Sequence, residues 1–259
     1  MAVMEAVADA PDARVDAASE RDLRVQLAAA YRLVEHFGWT IGVYGHLTAR
    51  VPGPESHFLI NPFGLRYDEV NASNLVKIDC DGNVVAPSDY PVNEAGFVIH
   101  SAIHMADTDN ICVMHTHTRA GAAVAATREG LLTISQEASA FHGHVSYHDY
   151  EGISLRLDER ARLVEDLGDN RQMVLRNHGL LTTGRSIPEA FLRLWLLQLA
   201  CENQVDAGHA GTLNAIPDDV AETGYHDYNL DDPLRSDVGR LEFAAWMRML
   251  DARDPSYRD

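Results

Sequence analysis

The chain has few cysteines, few basic residues and no long apolar run, and each shortage excludes a class of protein. Its three cysteines, Cys80, Cys112 and Cys201, are odd in number and widely separated, which disfavours a disulfide framework or a cysteine-ligated metal and indicates a reducing compartment. Lysine and arginine total 21 against 39 acidic residues, giving a formal charge of −18. This charge repels nucleic acid and anionic membrane surfaces, so small molecules are the expected partners.

No stretch has the pattern of a membrane span or a signal peptide. The apolar run 191–201 is shorter than the ~20 residues of a membrane helix and is flanked by charges. Residues 1–18 mix alanine with acidic residues and predict a mobile tail. The length of 259 residues and the 46% hydrophobic content predict one domain over residues 19–209, with a C-terminal arm and helix over residues 210–259. We expect a cytoplasmic protein.

The pattern of apolar residues predicts short strands, loops and several helices. Apolar residues at helical spacing predict the helices, and short apolar or alternating runs between turn residues predict the strands. The predicted helices cover residues 19–38, 93–106, 119–127, 158–167, 190–207 and 238–250. Ser19, followed by Asp22, predicts the start of the first helix, and Ser186, followed by Pro188 and Glu189, predicts the helix start that leads into residues 190–207. The predicted strands cover residues 46–51, 57–61, 75–78, 84–85, 111–118, 131–134, 145–148 and 173–176. Because the first strands lack long β-α-β spacing, an antiparallel or mixed sheet is expected.

Two C-terminal features suggest that the chain forms a homo-oligomer. The helix over residues 190–207 is apolar nearly all round as far as Cys201, which is typical of a helix buried on more than one side and suggests a subunit contact. Residues 208–237 are rich in Gly, Asp, Asn and Pro and predict a loop or arm. We expect this arm, with Tyr225 and Tyr228, to reach a neighbouring subunit's site or to pack on its own subunit.

The strongest chemical signal is an apolar run over residues 111–118 that contains two alternating histidines. His115 and His117 lie at i and i+2, so in a strand both imidazoles point to the same face. A third imidazole, His178, follows the predicted strand 173–176. Three neutral imidazoles can hold one ion and leave a position open for substrate, as in catalytic metal sites. From spacing alone, surface or hydrogen-bonded histidines are the commoner alternative.

The other histidines support structural interpretations more readily than metal binding. His100 and His104 lie on one face of the predicted helix 93–106, where an inner-face pair is commoner than a metal pair. The cluster of His142, His144 and His148 is expected to be surface-exposed or hydrogen-bonded. The glycine before His46 can let the backbone approach a ligand or can form an ordinary tight turn, and locally the turn is favoured.

Four motifs together resemble the class II aldolase/adducin family. They are GHLTAR at residues 45–50, NPFG at 61–64, HTH at 115–117, and NHG at 177–179 with a helix after it. The resemblance covers about residues 19–209. Within the family, the motifs LINPFGL, AGFVIHSAI and YHDY make the resemblance strongest to the adducin head domain and its bacterial relatives.

The resemblance implies a fold, an assembly and a metal. The implied fold is α/β, with three α/β/α layers around a central, largely antiparallel (mixed) sheet. The implied assembly is commonly a tetramer with active sites at subunit interfaces. The implied cofactor is a divalent metal ion on His115, His117 and His178, with zinc favoured and iron or manganese as alternatives. In the family's sugar-phosphate enzymes this metal polarises a carbonyl, which requires an open coordination position.

The resemblance also implies substrate-binding residues, and departures from the family pattern indicate a different substrate. The implied substrate-binding residues are His46, Asn61, Gly64 and His100. His46 stands where the sugar-phosphate enzymes usually carry an asparagine, and Phe63 replaces a hydroxyl residue. The lost hydroxyl donors argue against a sugar phosphate and favour an aromatic or branched hydroxy- or oxo-acid, with Phe63 and His46 lining the site.

Glu94 is the candidate catalytic base that the resemblance provides. In the family's aldolases a glutamate at the start of the helix before the His-x-His strand moves the substrate proton. Counting back from that strand through His100 without a gap places this glutamate at Gly96, so Glu94 matches only after a shift of two residues. The alternative is a solvent-facing glutamate that complements the helix dipole. If Glu94 is not the base, a metal-bound water, His100 or an arm tyrosine remains.

Three functions follow from the sequence. The first is a metal-dependent lyase that cleaves or forms a C–C bond next to a carbonyl, by retro-aldol reaction or decarboxylation, on a small, non-phosphorylated hydroxy- or oxo-acid. The second is Fe(II)-dependent oxidative C–C cleavage, since a three-histidine site can hold Fe(II). The third is a non-catalytic, adducin-like binding or scaffold module. The retained set of three ligands favours an enzyme, because such a cluster is otherwise costly to bury.

Overall fold

A computed structural model describes residues 19–53, 56–153 and 156–259, without the side chains of Glu94 and Ala95. The predicted tail over residues 1–18 lies outside these residues. The strands are β1 His46–Arg50, β2 Phe58–Ile60, β3 Val76–Ile78, β4 Cys112–Thr116, β5 Ser146–His148, β6 Gln172–Leu175 and β7 Gly179–Gly184. The helices are α1 Glu20–His36, α2 Glu94–Ala106, α3 Arg119–Ala125, α4 Gln136–Ser139, α5 Glu159–Leu167, α6 Ile187–Ala210, α7 Asp218–Tyr228 and α8 Arg240–Arg253, with 3-10 turns at Tyr67–Glu69 and Pro255–Arg258.

The strands form one sheet in the order β3-β2-β1-β4-β7-β6-β5. Every neighbouring pair is antiparallel except β5 with β6, which is parallel. Within the described residues the sheet is therefore mixed and largely antiparallel, as the sequence predicts. β4 lies at its centre between β1 and β7, so the histidine-bearing strand is paired on both sides.

Helices cover both faces of the sheet and give the predicted three layers. α2 and α5 pack on one face, where Ile103 and Leu163 meet Val113 and Leu181 of the central strands. α1, α3, α6 and α8 pack on the other face and form the larger part of the core. The serines predicted to begin two helices cap them. The Ser19 side chain accepts a hydrogen bond from the backbone amide of Asp22, and the Ser186 side chain accepts one from the backbone amide of Glu189.

Three predicted elements differ from the structure and one strand was missed. Residues 84–85 form no strand, and Val84 makes only an isolated antiparallel bridge with Ile78. Residues 131–134 are not a strand, because side chains bind their amides instead: Leu131 donates to the Tyr147 hydroxyl and Leu132 to Gln204. The arm predicted over residues 208–237 contains helix α7. The missed strand is β7, which begins at Gly179, the last residue of the NHG motif.

Helix α6 buries its apolar surface within its own chain. Phe191 packs against Trp246 of α8, with ring centroids 5.2 Å apart, and against Phe37 after α1. The fully buried Arg193 pairs with Glu189 and with Asp231 of the arm. Contacts within its own chain thus account for much of the apolar character of α6, and the subunit contact inferred from that helix stays a prediction. Among the described residues, no helix combines the length and apolarity that a membrane span needs.

Candidate metal centre and active site

The central strand and the turn before β7 position the three candidate metal ligands. His115 is the fourth residue of β4, where it pairs with His46 of β1 and Leu181 of β7. His117 follows the end of the strand, and because side chains alternate it shares a face with His115. His178 lies between β6 and β7, after Asn177 at a left-handed φ of 56°.

The three imidazoles converge. His115 Nε2 lies 2.6 Å from His117 Nε2 and 3.2 Å from His178 Nε2, and the candidate ligand atoms of the three residues all lie within 4.8 Å of one another. His115 Nδ1 donates to the Leu180 carbonyl at 2.9 Å, so in the neutral ring Nε2 carries the lone pair. Lone pairs brought this close repel one another unless a cation or proton lies between them. The arrangement suits a bound ion.

The electrostatic surroundings keep these histidines in the form that binds a metal. Burial, reinforced by His178 and His117, holds the pKa of His115 well below its usual value. Burial, with His117 and His148 adding to the effect, lowers the pKa of His178 to about 4. Burial also lowers the pKa of His117. All three imidazoles are therefore neutral near pH 7, as metal ligation requires.

The nitrogen separations fit a divalent ion with small adjustments. An ion ~2.1 Å from each nitrogen in tetrahedral geometry sets the nitrogens about 3.4 Å apart. The observed separations of 2.6 and 3.2 Å differ from this by amounts that side-chain rotation can supply. Gly179 permits the close approach of β7 to β4, because a Cβ there would lie 2.3 Å from the Thr116 carbonyl oxygen.

The three histidines open into a cavity of about 540 Å³. Apolar and aromatic side chains surround its mouth, and among the described lining residues there is no lysine, arginine, aspartate or glutamate. The lining consists of Ile41, Tyr44, Gly45, His46, Asn93, Ile99, His115, His117, Tyr150, Gly152, Ile153, Asn177 and His178. Tyr44, Tyr150 and Ile153 are each more than half exposed at this mouth. The sequence analysis did not identify these three residues, although the YHDY motif contains Tyr150.

The predicted substrate-binding residues occupy different places. His46 lines the cavity, and its ring centroid lies 5.5 Å from that of His115. His100 is buried behind His46, with ring centroids 4.4 Å apart. Asn61 is buried and accepts a hydrogen bond from the Tyr31 hydroxyl at 3.0 Å. Gly64 is exposed in a turn at φ +104°. Asn61, Gly64 and His100 do not line this cavity, and their substrate role stays a prediction.

Two further sequence predictions concern the residues beside the cavity. Helix α2 begins at Glu94, but the Glu94 side chain lies outside the described part of the chain, so its catalytic role stays a prediction. Phe63 does not line the cavity. Its ring centroid lies 6.3 Å from that of Tyr44, and Tyr44 does line the cavity. His46 has a pKa lowered to about 3 by burial and by His117 and His178, against the opposing effect of the Gly45 carbonyl.

The His100 and His104 pair is a buried inner-face pair, as the sequence analysis favoured. Thr48 Oγ1 lies 2.7 Å from His100 Nδ1 and 2.7 Å from His104 Nε2. His104 Nδ1 lies 2.7 Å from the Asn110 carbonyl oxygen, to which it must donate. These contacts join α2 to β1 through polar side chains in an otherwise apolar layer.

The remaining histidine cluster is hydrogen-bonded or stacked, as expected. His142 Nδ1 lies 3.0 Å from Thr133 Oγ1, and the His144 ring stacks on Tyr225 with centroids 4.1 Å apart. His148 is buried and its Nδ1 lies 2.7 Å from Asp166 Oδ2. The stacking of Tyr225 on His144 shows that the C-terminal arm packs on its own chain.

The fold and the cluster of three histidines match a class II aldolase-type protein, and comparison with known proteins gives the family. The chain belongs to the class II aldolase and adducin N-terminal domain family, whose model matches residues 25–205. An aldolase II superfamily protein from Pseudomonas syringae is 50% identical, with a TM-score of 0.87 over 93% of this chain and 96% of that one.

Two other relatives are an aldolase and an adducin. L-fuculose 1-phosphate aldolase from Glaciozyma antarctica is 28% identical, with a TM-score of 0.82 over 93% of each chain. Alpha-adducin of Rattus norvegicus is 42% identical over 90% of this chain, but the match spans only 33% of adducin's length. The resemblance to both the aldolases and the adducin head is thus confirmed, and family membership supports aldolase-type lyase chemistry in general terms.

Proposed function

We propose that this protein is a metal-dependent lyase that cleaves or forms a C–C bond next to a carbonyl. The observation that carries the proposal is the convergence of His115, His117 and His178, whose ligand atoms lie within 4.8 Å of one another at the wall of an open cavity. A divalent ion bound there would supply Lewis-acid polarisation of the substrate carbonyl. Zinc is the favoured ion, with iron or manganese as alternatives.

The charge of the cavity supports a small, non-phosphorylated hydroxy- or oxo-acid as substrate. The described lining residues include no lysine or arginine that could bind a phosphate. Three neutral imidazole ligands carry no negative charge to balance a divalent ion. This favours a substrate with a carboxylate beside the reacting carbonyl. The exposed Tyr44, Tyr150 and Ile153 offer contact to an apolar or aromatic substituent. In titration calorimetry of the zinc-loaded protein, pyruvate should bind more tightly than its neutral amide; equal affinities would contradict this charge argument.

Metal analysis of protein purified without air tests the central proposal. The wild type should contain about one divalent ion per chain, and His115→Ala should lose most of it. His226→Ala is the matched control, because His226 is an exposed histidine of α7. A wild type that binds no divalent ion, or a His115→Ala variant with unchanged metal content, would favour the adducin-like scaffold instead.

Assays on a panel of hydroxy- and oxo-acids separate the lyase from an oxygenase. Release of an aldehyde or of CO₂ without oxygen consumption supports the lyase. Bound iron together with stoichiometric oxygen consumption would instead establish oxidative C–C cleavage.

We also propose that the protein forms a homo-oligomer, and the family resemblance described above favours a tetramer. Light scattering that showed a monomer at micromolar concentration would contradict this proposal.

A further inference from the structure

A second cavity lies at the end of the central strands opposite the three histidines. It has a volume of about 410 Å³ and shares no described lining residue with the histidine cavity. Its wall includes Arg50 at the end of β1, Ile111 before β4 and Arg185 after β7. Because β1 runs from His46 to Arg50, its two ends are ~13 Å apart at ~3.3 Å per residue. The two cavities are therefore separate sites.

The buried part of the lining is apolar. Leu23 of α1, Ile187 of α6 and Val238 before α8 line the cavity, and each is at most 5% exposed. Pro52 and Pro188 extend the apolar wall. A lining of this kind gains stability when a compact hydrocarbon group displaces water from it.

Three polar side chains of the lining have no partner in the described part of the chain. They are the half-buried amide of Gln26 on α1, the exposed hydroxyl of Ser236 and the exposed guanidinium of Arg240. An apolar lining with a few polar groups is the usual composition of a small-molecule site, in which the polar groups fix the orientation of the ligand.

The charge of the lining is positive, although the chain as a whole is strongly acidic. Arg50, Arg185 and Arg240 line the cavity, and among the described residues no aspartate or glutamate does, whereas the sequence has 39 acidic residues against 21 basic ones. Arg185 is paired with Glu189 at 3.0 Å, and Arg50 donates to the His104 carbonyl. Arg240 is thus the arginine of this lining whose donors all stay available for a ligand.

Two helix N-termini meet beside this cavity. A Cβ built on Gly239 would overlap the Pro188 carbonyl oxygen, so the start of α8 lies against the first turn of α6. Ser186 caps α6, but Gly239 precedes α8 without a side-chain cap. The N-terminal end of a helix carries a partial positive charge, so both helices add to the field of Arg240. The mouth of the cavity therefore favours an anion.

We propose that this cavity binds a small monocarboxylic acid with an aryl or branched alkyl body. The hydrocarbon body packs against Leu23, Ile187 and Val238, and the carboxylate lies at the rim, where the guanidinium of Arg240 can hold both of its oxygens. The volume of about 410 Å³ lies within the range of small-ligand sites. The proposal is independent of the lyase function proposed for the histidine cavity.

Binding of 4-fluorophenylacetate to the zinc-loaded, full-length protein, followed by fluorine NMR, tests the proposal. Acetate, measured by competition, should bind more weakly by about tenfold or more, because it has no apolar body to bury. The neutral amide 4-fluorophenylacetamide should bind about fivefold or more weakly than the acid, because it lacks the charge that Arg240 and the helix ends attract.

Variants place the probe in this cavity. Arg240→Gln should weaken binding of the acid by about three- to tenfold, as expected for one charged hydrogen-bonding partner at a solvent-exposed rim. The matched control Arg248→Gln removes another exposed arginine of α8 and should leave binding unchanged. Gln26→Trp fills part of the cavity and should weaken binding by about tenfold or more. His115→Ala, which alters the histidine cavity, should keep the binding that Gln26→Trp removes.

Each outcome supports or overturns the proposal. No binding by the wild type would overturn it, and this is also the result expected if another segment or a second copy of the chain covers the cavity. Equal binding of acid and amide would overturn it, as would binding that is lost in His115→Ala but kept in Gln26→Trp. If Gln26→Trp lacks a thermal unfolding transition, the arginine pair decides, and equal binding by Arg240→Gln and Arg248→Gln would overturn the proposal. A protein that binds the probe here but binds no zinc would overturn only the proposed lyase function.

Discussion

His104 should make the fold sensitive to acid, and the structure gives the magnitude. The ring is 1% exposed, stacks on Phe58 at 4.5 Å and makes two hydrogen bonds as a neutral imidazole. Burial, reinforced by Arg50 and opposed by the Asn110 carbonyl, lowers its pKa to about 3. In the unfolded chain an ordinary histidine pKa of about 6.5 applies. Between these values the unfolded chain binds a proton that the folded chain does not.

The sign of the effect follows from this difference. The unfolded state binds more protons below pH 6.5, so the free energy of unfolding falls as the pH falls. The stabilisation is complete above about pH 6.5 and decreases by about 1.4 kcal/mol per pH unit below it. At pH 5 the loss from His104 alone is therefore about 2 kcal/mol, a large share of the 5–15 kcal/mol typical of a domain.

Urea unfolding of the metal-free protein at pH 7.5 and pH 5.0 measures this loss. The side-chain amide introduced by His104→Gln can still donate to Asn110 and accept from Thr48 but does not titrate, so the stability difference between the two pH values should shrink by about 2 kcal/mol relative to wild type. The exposed-histidine variant His226→Gln should keep the wild-type difference. An unchanged difference in His104→Gln would refute the argument that burial of a neutral His104 makes the fold acid-labile.

Two further predictions concern close approaches in the fold. Gly179→Ala places a methyl group against the Thr116 carbonyl and should destabilise the protein by about 1–3 kcal/mol and reduce zinc content, as calorimetry and metal analysis would show, whereas Gly208→Ala should be neutral or stabilising. Arg193→Met removes one of the two arginine partners of the buried Glu189 carboxylate, which keeps Arg185, and should cost about 1–3 kcal/mol in urea unfolding; an unchanged stability would show that the Arg193–Glu189 pair is not needed.

Local patterns in the sequence predicted most helices and strands. Most of the elements that were not predicted depend on long-range contacts. Alternation identified His115 and His117, and capping residues identified the starts of α1 and α6. Strand β7 was missed because its identity as a strand depends on pairing with β4 and β6, which the local sequence does not encode. The packing of α8 on α6 was not predicted, because the local sequence does not show that α8 returns to cover that helix.

The candidate site shows the same division between local and long-range information. Alternation along a strand placed His115 and His117 on one face, and the family resemblance favoured a metal site that adds His178 to them. The roles of His46 and His100 depend on contacts between β1 and α2, so the sequence supported only a general substrate-binding prediction. The hydrogen bonds of Thr48 are visible only in the structure, where its hydroxyl on β1 lies 2.7 Å from a ring nitrogen of each of two helix histidines, His100 and His104.

Positions 94 and 96 of α2 differ in where a side chain on them would point. Two residues turn a helical side chain by about 200° on standard geometry, so in a regular helix the two positions cannot both face the metal ligands. Position 96 is the one that faces the site, because a Cβ on Gly96 would lie 2.7 Å from the His46 ring, whose centroid lies 5.5 Å from that of His115. Glycine at this position offers no carboxylate. For Glu94 to act as the base, the first turn of α2 would have to unwind, and its catalytic role stays a prediction.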